Sequence, residues 1–147
     1  MTMVQEIATD LEIAFPSGEY RLIRSSKMPA GQNGTLYELS LPDTPDNCVA
    51  LYEYPGQAPM RLLGSAIPQE NVSLQVMVRH KSATKALEWT KRITKHLITI
   101  NGREVAGVYY MLVESKTSSP IDIGPDPNNR RRYTVNFSVA KNWSPDA

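Results

Sequence analysis

Between Val72 and Leu97 the apolar positions of this chain change period. Val72, Leu74, Val76 and Val78 alternate with Ser73, Gln75, Met77 and Arg79, which predicts a strand with one strongly apolar face. His80 and Lys81 close it, and Ser82 is placed to cap a helix running from about Ala83 to Ile98. On that helix Ala83, Ala86, Leu87, Trp89, Thr90, Ile93, Thr94, Leu97 and Ile98 share one arc. Lys85, Glu88, Lys91, Arg92 and Lys95 fill the other, so the helix shows water a mostly basic face. Trp89 lies at the edge of the apolar arc, where it either caps the core or meets another subunit.

The rest of the chain is read around this unit. Val4, Ile7, Ala8, Leu11, Ala14 and Phe15 predict a first helix over residues 2–15, with Thr2 as cap and acidic Glu6, Asp10 and Glu12. The acidic and basic helices either share one side of a sheet or meet across a subunit boundary. Tyr20 to Ile23 predicts a short strand, and Thr35 to Leu41 an extended piece beside the sheet. Pro42 to Asn47 is a rigid turn. Cys48 to Tyr54 is nearly unbroken in its apolar positions and predicts a central strand covered on both faces. Strands are further predicted over 105–113, after an Asn101-Gly102 turn, and over 132–139, after a loop from Glu114 to Asn129. Residues 140–147 read as a loose tail. Helices on one side of a mainly antiparallel or mixed sheet give a two-layer α+β domain, single over residues 1–147.

Composition narrows the function classes. The 147 residues allow one domain with a real core. Sixteen Lys and Arg against 15 Asp and Glu leave a net charge of +1, which gives no bulk preference for nucleic acid. One cysteine, Cys48, excludes an intrachain disulfide framework and reads as a small buried hydrophobe. No signal peptide and no membrane-spanning run is seen, so the expectation is a soluble intracellular protein.

Candidate chemistry is sparse. His80 and His96 find no third ligand for a metal, and there is no nucleophile elbow or phosphate-binding loop. Asp122 and Asp126 are acids of one loop rather than a scaffolded pair. No metal, no cofactor and no catalytic residue is therefore expected. Two other features stand out. Met60, Leu62, Leu63 and Ile67 stud a tract broken by Pro59, Gly64 and Pro68, a composition that suits an assembly contact. Arg130, Arg131 and Arg132 enter the last strand, either as solubilising edge charge or as a positive rim.

Three pieces taken in order carry a resemblance. They are Leu41 to Val49 followed by Tyr54-Pro55-Gly56, Ser73 to Arg79 before a helix with Ala83 and Ala86, and Ser119-Pro120 with Gly124 to Arg130 and Tyr133 to Phe137. Together, over roughly residues 2–140, the chain resembles the minor capsid or tail terminator proteins of long-tailed bacteriophages, of the tail-to-head joining group. Pro42 to Asn47 matches a turn of that family. Asp126, Asn128, Asn129 and Arg130 match its Asp-x-Asn-Gly-Arg-like turn, with Asn129 where glycine is expected; Asn tolerates the left-handed backbone better than other side chains.

The resemblance implies a structural virion protein at the head-proximal end of the tail, present in the host cytoplasm during assembly. It implies a ring, typically hexameric, that caps the tail tube, stops its polymerisation and joins it to a head connector protein. Partners are then further copies of the chain, the tube protein, the connector and, loosely, passing DNA. A closed ring needs two different patches on each subunit. The tract from Met60 to Ile67, the two oppositely charged helices and the Arg130–Arg132 rim are the candidates. The main alternative is a small nucleic-acid or peptide-binding α+β module that uses the three arginines. A third is an enzyme gathering His80 with Asp122 or Asp126.

Overall fold

The computed structural model describes residues 1–56 and 68–143. Helix α1 (Met3–Ala14) is followed by strands β1 (Leu36–Glu38), β2 (Cys48–Pro55) and β3 (Gln69–His80). Helix α2 (Ala83–Leu97) comes next, then β4 (Asn101–Val105), β5 (Val108–Ser115), β6 (Ile121–Pro125) and β7 (Arg131–Asn142). The seven strands form one mixed sheet in the order β1-β2-β3-β7-β5-β4, with β6 pairing β7 where β5 leaves it. Among the named strands of the described residues, β1 and β2 pair in parallel and the other pairs are antiparallel. This is the α+β architecture that the sequence pattern predicts.

The spine is the β3–β7 ladder, which runs without interruption from Gln69↔Asn142 to His80↔Arg131. Its alternation decides the layers. Leu74, Val76, Val78, Val135, Phe137 and Val139 face the helices and are buried, and they share one core with Ile7 and Leu11 of α1 and Trp89, Ile93 and Leu97 of α2. Both helices therefore lie on the same side of the sheet, where Asp10 of α1 meets His96 of α2 at 2.7 Å. Among the described residues, the apolar side chains buried behind the sheet form a small cluster of Tyr37, Cys48 and Ala50, with Leu41 and Tyr52 against it.

Local chemistry explains the helix ends. Thr2 and Gln5 make a reciprocal capping box on α1, and the Ser82 hydroxyl accepts the Lys85 N–H on α2. Trp89 is 1% exposed and belongs to the core, which decides against its use as an assembly contact. The buried arc of α2 is narrower than the pattern suggests, because Leu87 is only half-buried and Ile98 is exposed.

Several expectations are corrected. Tyr20 to Ile23 is not a strand: Leu22 plugs the core, and the Ile23 carbonyl accepts both the Thr35 and Leu36 N–H groups at 3.0 Å. The expected strand over 105–113 is the hairpin β4–β5, turned at Ala106 (φ 49) and Gly107 (φ 83), a two-residue turn with both φ positive. Asn101-Gly102 lies inside β4 instead of turning the chain. The loop from Glu114 to Asn129 contains β6. The first half of β2 is buried on both faces, whereas Glu53 to Pro55 are exposed.

Candidate assembly site

The strand ends at His80, Cys48 and Arg131 meet the Pro42–Asn47 turn, and two arginines fasten it there. Arg130 is 3% exposed. Its guanidinium donates to the Asp126 carboxylate at 2.7 Å, to the Asp43 carboxylate at 3.0 Å and to the Asp43 carbonyl at 2.6 Å. Asp46 lies 3.3 Å from the same group. Arg79 of β3 donates to the backbone carbonyls of Pro45 and Asp46, and Lys81 pairs with Asp46 at 3.0 Å. A fully forked guanidinium among carboxylates and carbonyls fixes direction as well as charge.

The turn that presents Arg130 is built by Asp126. One carboxylate oxygen accepts the backbone N–H groups of Asn128 and Arg130, at 3.0 and 2.9 Å. Desolvation pushes the Asp126 carboxyl up, but these hydrogen bonds and the Arg130 charge prevail and hold it below the usual carboxylate range. Asn129 has φ 58, the left-handed conformation a glycine would take. The turn thus forms with asparagine at the position where a glycine was expected.

Of the three arginines expected at a positive rim, Arg130, Arg131 and Arg132, the first is buried. Arg130 is turned inward and spent on the clamp. Arg131 reaches Asp122 at 3.8 Å, and Arg132 donates to the carbonyls of Gly124 and Pro125 at 3.4 Å; both remain partly exposed. Met60, Leu62, Leu63 and Ile67 lie outside the described residues.

The acidic helix is also committed within the chain. Glu12 pairs with Arg24 at 2.6 Å and Lys27 at 3.1 Å. Asp10 accepts from His96 and from Arg103 at 3.1 Å. Burial raises the Asp10 carboxyl, but His96 and then Arg103 outweigh it and leave it below its ordinary value. Glu6, fully buried, receives the Tyr110 hydroxyl at 2.7 Å and lies 3.2 Å from the Lys141 ammonium. Lys141 also pairs with Glu70 at 3.3 Å. On α2, Lys85 pairs with Glu19, and the Arg92 guanidinium sits 4.8 Å from the Tyr20 ring centre.

The residues suggested for catalysis are not gathered. His80 stacks edge-on against Trp89, and its Nδ1 accepts the Ser82 N–H at 2.9 Å. Burial, and then Lys85, push its pKa below the ordinary histidine value. Asp122 accepts the Gly124 N–H, and Asp126 holds Arg130, so each acid has its own task. Among the described residues no group of His, Cys, Asp and Glu is arranged to hold a metal ion. Nor is any of their helices long and apolar enough to cross a membrane.

The sheet face away from the helices is a second candidate surface. Ser73↔Ser138 and Gln75↔Asn136 are paired across the β3–β7 spine on this face, so its centre is polar; the Lys116 ammonium donates to the Ser73 hydroxyl at 2.7 Å, and Glu114 is the β5 partner of Ser138. Sequence reasoning missed the clamp and the Lys141 pair. Asp126 and Arg130, four residues apart in a turn, were a usable signal for the first. A lysine in strand phase with Val135, Phe137 and Val139 was a signal for the second.

Comparison with curated proteins gives no match. Comparison with family models gives a match over residues 21–143, from the segment after α1 through β7, to the bacteriophage tail terminator protein family. The match covers most of the chain, including the clamped turn, the spine and α2, and the chain belongs to that family of phage tail structural proteins.

Proposed function

We propose that the protein closes into a hexameric ring on the head-proximal end of a phage tail tube. There it terminates tube polymerisation and offers its other face to the head connector. The observation that carries this reading is the family match over residues 21–143. The layering supports it. Both α-helices of the described chain lie on one side of the sheet, and the opposite face carries Ser73, Gln75, Asn136 and Ser138 at its centre. Polar side chains flanked by Lys116 and Glu114, of opposite sign, offer hydrogen bonds without the concentrated positive charge that makes DNA binding tight, which suits a wall past which DNA moves.

In this reading Met60, Leu62, Leu63 and Ile67 contact the tube or a neighbouring subunit, and Arg131 and Arg132 give the ring a positive rim. The alternative of a nucleic-acid or peptide module rests on the same arginines and loses Arg130 to the clamp. The test is assembly. Wild-type protein is mixed with cognate tail tubes and capped, length-limited ends are sought by electron microscopy. Capping that disappears when Leu62 and Leu63 become Ser, with the fold intact, supports the tract as a contact. Wild-type protein that caps no cognate tube removes the reading.

A further inference from the structure

A ring closed head to tail needs a projecting patch and a receiving one on each subunit. A groove of about 210 Å³ lies between α2 and the segment that leads into β6. Val135 and Pro120 line it together with Thr94 of α2 and Ile98 just past its end, the last 47% exposed. Lys91 and Lys95 stand on its rim. Lys85, Arg92 and His96 of the same helix are held by Glu19, Tyr20 and Asp10, whereas Lys91 and Lys95 make no ion pair within the described residues. No carboxylate lines the groove. Its chemistry calls for a large, mainly apolar side chain accompanied by a negative charge.

The chain carries such a feature elsewhere. Tyr109 is 44% exposed on the hairpin β4–β5, and its cross-strand partner is Glu104. Glu104 is exposed and makes no ion pair within the described residues. Val105, Val108 and Tyr110 bury the other side of the hairpin, so Glu104 and Tyr109 point to the face away from the helices. The two-residue turn at Ala106-Gly107 keeps the projection rigid, and Gly102 leaves room for the Tyr109 hydroxyl, 3.3 Å from where a Cβ would stand. A preorganised aromatic with few rotatable bonds loses little entropy when it docks.

We infer that the Glu104–Tyr109 edge of one copy seats in the Lys91/Lys95 groove of the next and so closes the ring. The inference rests on the ring reading above. The tyrosine ring fills the space over Ile98 and Pro120, and the carboxylate meets the two ammonium groups. Such an ion pair sets register and discriminates against wrong contacts. The two patches lie on opposite faces of the sheet, so the contact is heterologous and each copy uses both.

The test is charge exchange between separate chains. One variant carries Glu104→Lys; the other carries Lys91→Glu and Lys95→Glu. Both are checked for wild-type unfolding midpoints, then titrated onto cognate tubes, with capping scored by electron microscopy. Each variant alone needs about tenfold more protein for half-capping, or more, because like charges now face each other. An equal mixture recovers to within about threefold of wild type, since an alternating ring restores every opposite pair. Wild-type capping by either variant alone, or no recovery in the mixture while wild-type protein caps, overturns the contact and leaves the ring reading standing. Wild-type protein that does not cap overturns the ring reading, and this contact with it.

Discussion

Lys141 offers the sharpest test of the energetics. Its side chain and that of Glu6 are both fully buried, with 3.2 Å between ammonium and carboxylate. Two routes lead away from this pair. Lys141→Met keeps most of the volume but leaves the buried Glu6 carboxylate, which accepts from the Tyr110 hydroxyl, without the ammonium that faces it. Breaking a buried pair in this way costs about 3–5 kcal/mol. Against a total stability of roughly 5–15 kcal/mol, that is a large share. Changing both partners, Glu6→Gln with Lys141→Met, removes both charges of the pair, and the double variant should return to within about 1 kcal/mol of wild type or exceed it. Urea titrations of the wild type, both single variants and the double variant give the coupling directly. Additive losses, or a Lys141→Met cost under about 1 kcal/mol, would refute the view of Glu6 as a desolvated carboxylate that depends on Lys141.

Three further outcomes are expected. Ile93→Ala should cost about 2–5 kcal/mol in urea unfolding, the half-buried Leu87→Ala clearly less, and Lys85→Ala no more than about 0.5 kcal/mol; equal losses at all three would mean the buried face of α2 is misassigned. Ala106→Gly should raise stability by up to about 1 kcal/mol in the same assay, because Ala106 holds φ 49 at the hairpin turn; a loss would refute the strain. His80 has its pKa lowered by burial and by Lys85, so the unfolded chain binds the proton more readily. Stability is then full above the unfolded value of 6.5 and falls as pH drops through and below it. Thermal melts should show this slope reduced in His80→Asn; an unchanged slope would assign it to another group.

The fold was legible where one period ruled one element. The valines of β3 and the caps of both helices placed their elements within a few residues. Apolar periodicity failed where pairing depended on distant partners. β6 has exposed Ile121 and Ile123 and exists because β7 continues past the end of β5. The β4–β5 hairpin hid behind the stronger turn signal of Asn101-Gly102, since alanine seldom marks a turn with positive φ. The site was harder to read. Three adjacent arginines look alike in sequence, but the strand phase and the Asp126 turn send only Arg130 inward, toward a turn more than eighty residues earlier. Charge on α1 looked available for a neighbour, yet Lys141, Arg24 and Arg103 had already taken it.

The unbroken ladder from Gln69↔Asn142 to His80↔Arg131 also has a mechanical meaning. Pulled along its axis, an antiparallel pair of this length loads all its hydrogen bonds together, and they must fail at once. Pulled across the axis, it opens one bond at a time. Resistance to force is set by the rate of unfolding rather than by equilibrium stability. The β3–β7 spine therefore makes the subunit stiff in one direction and weak in the other, and a subunit under tension is safest when the strain runs along these two strands.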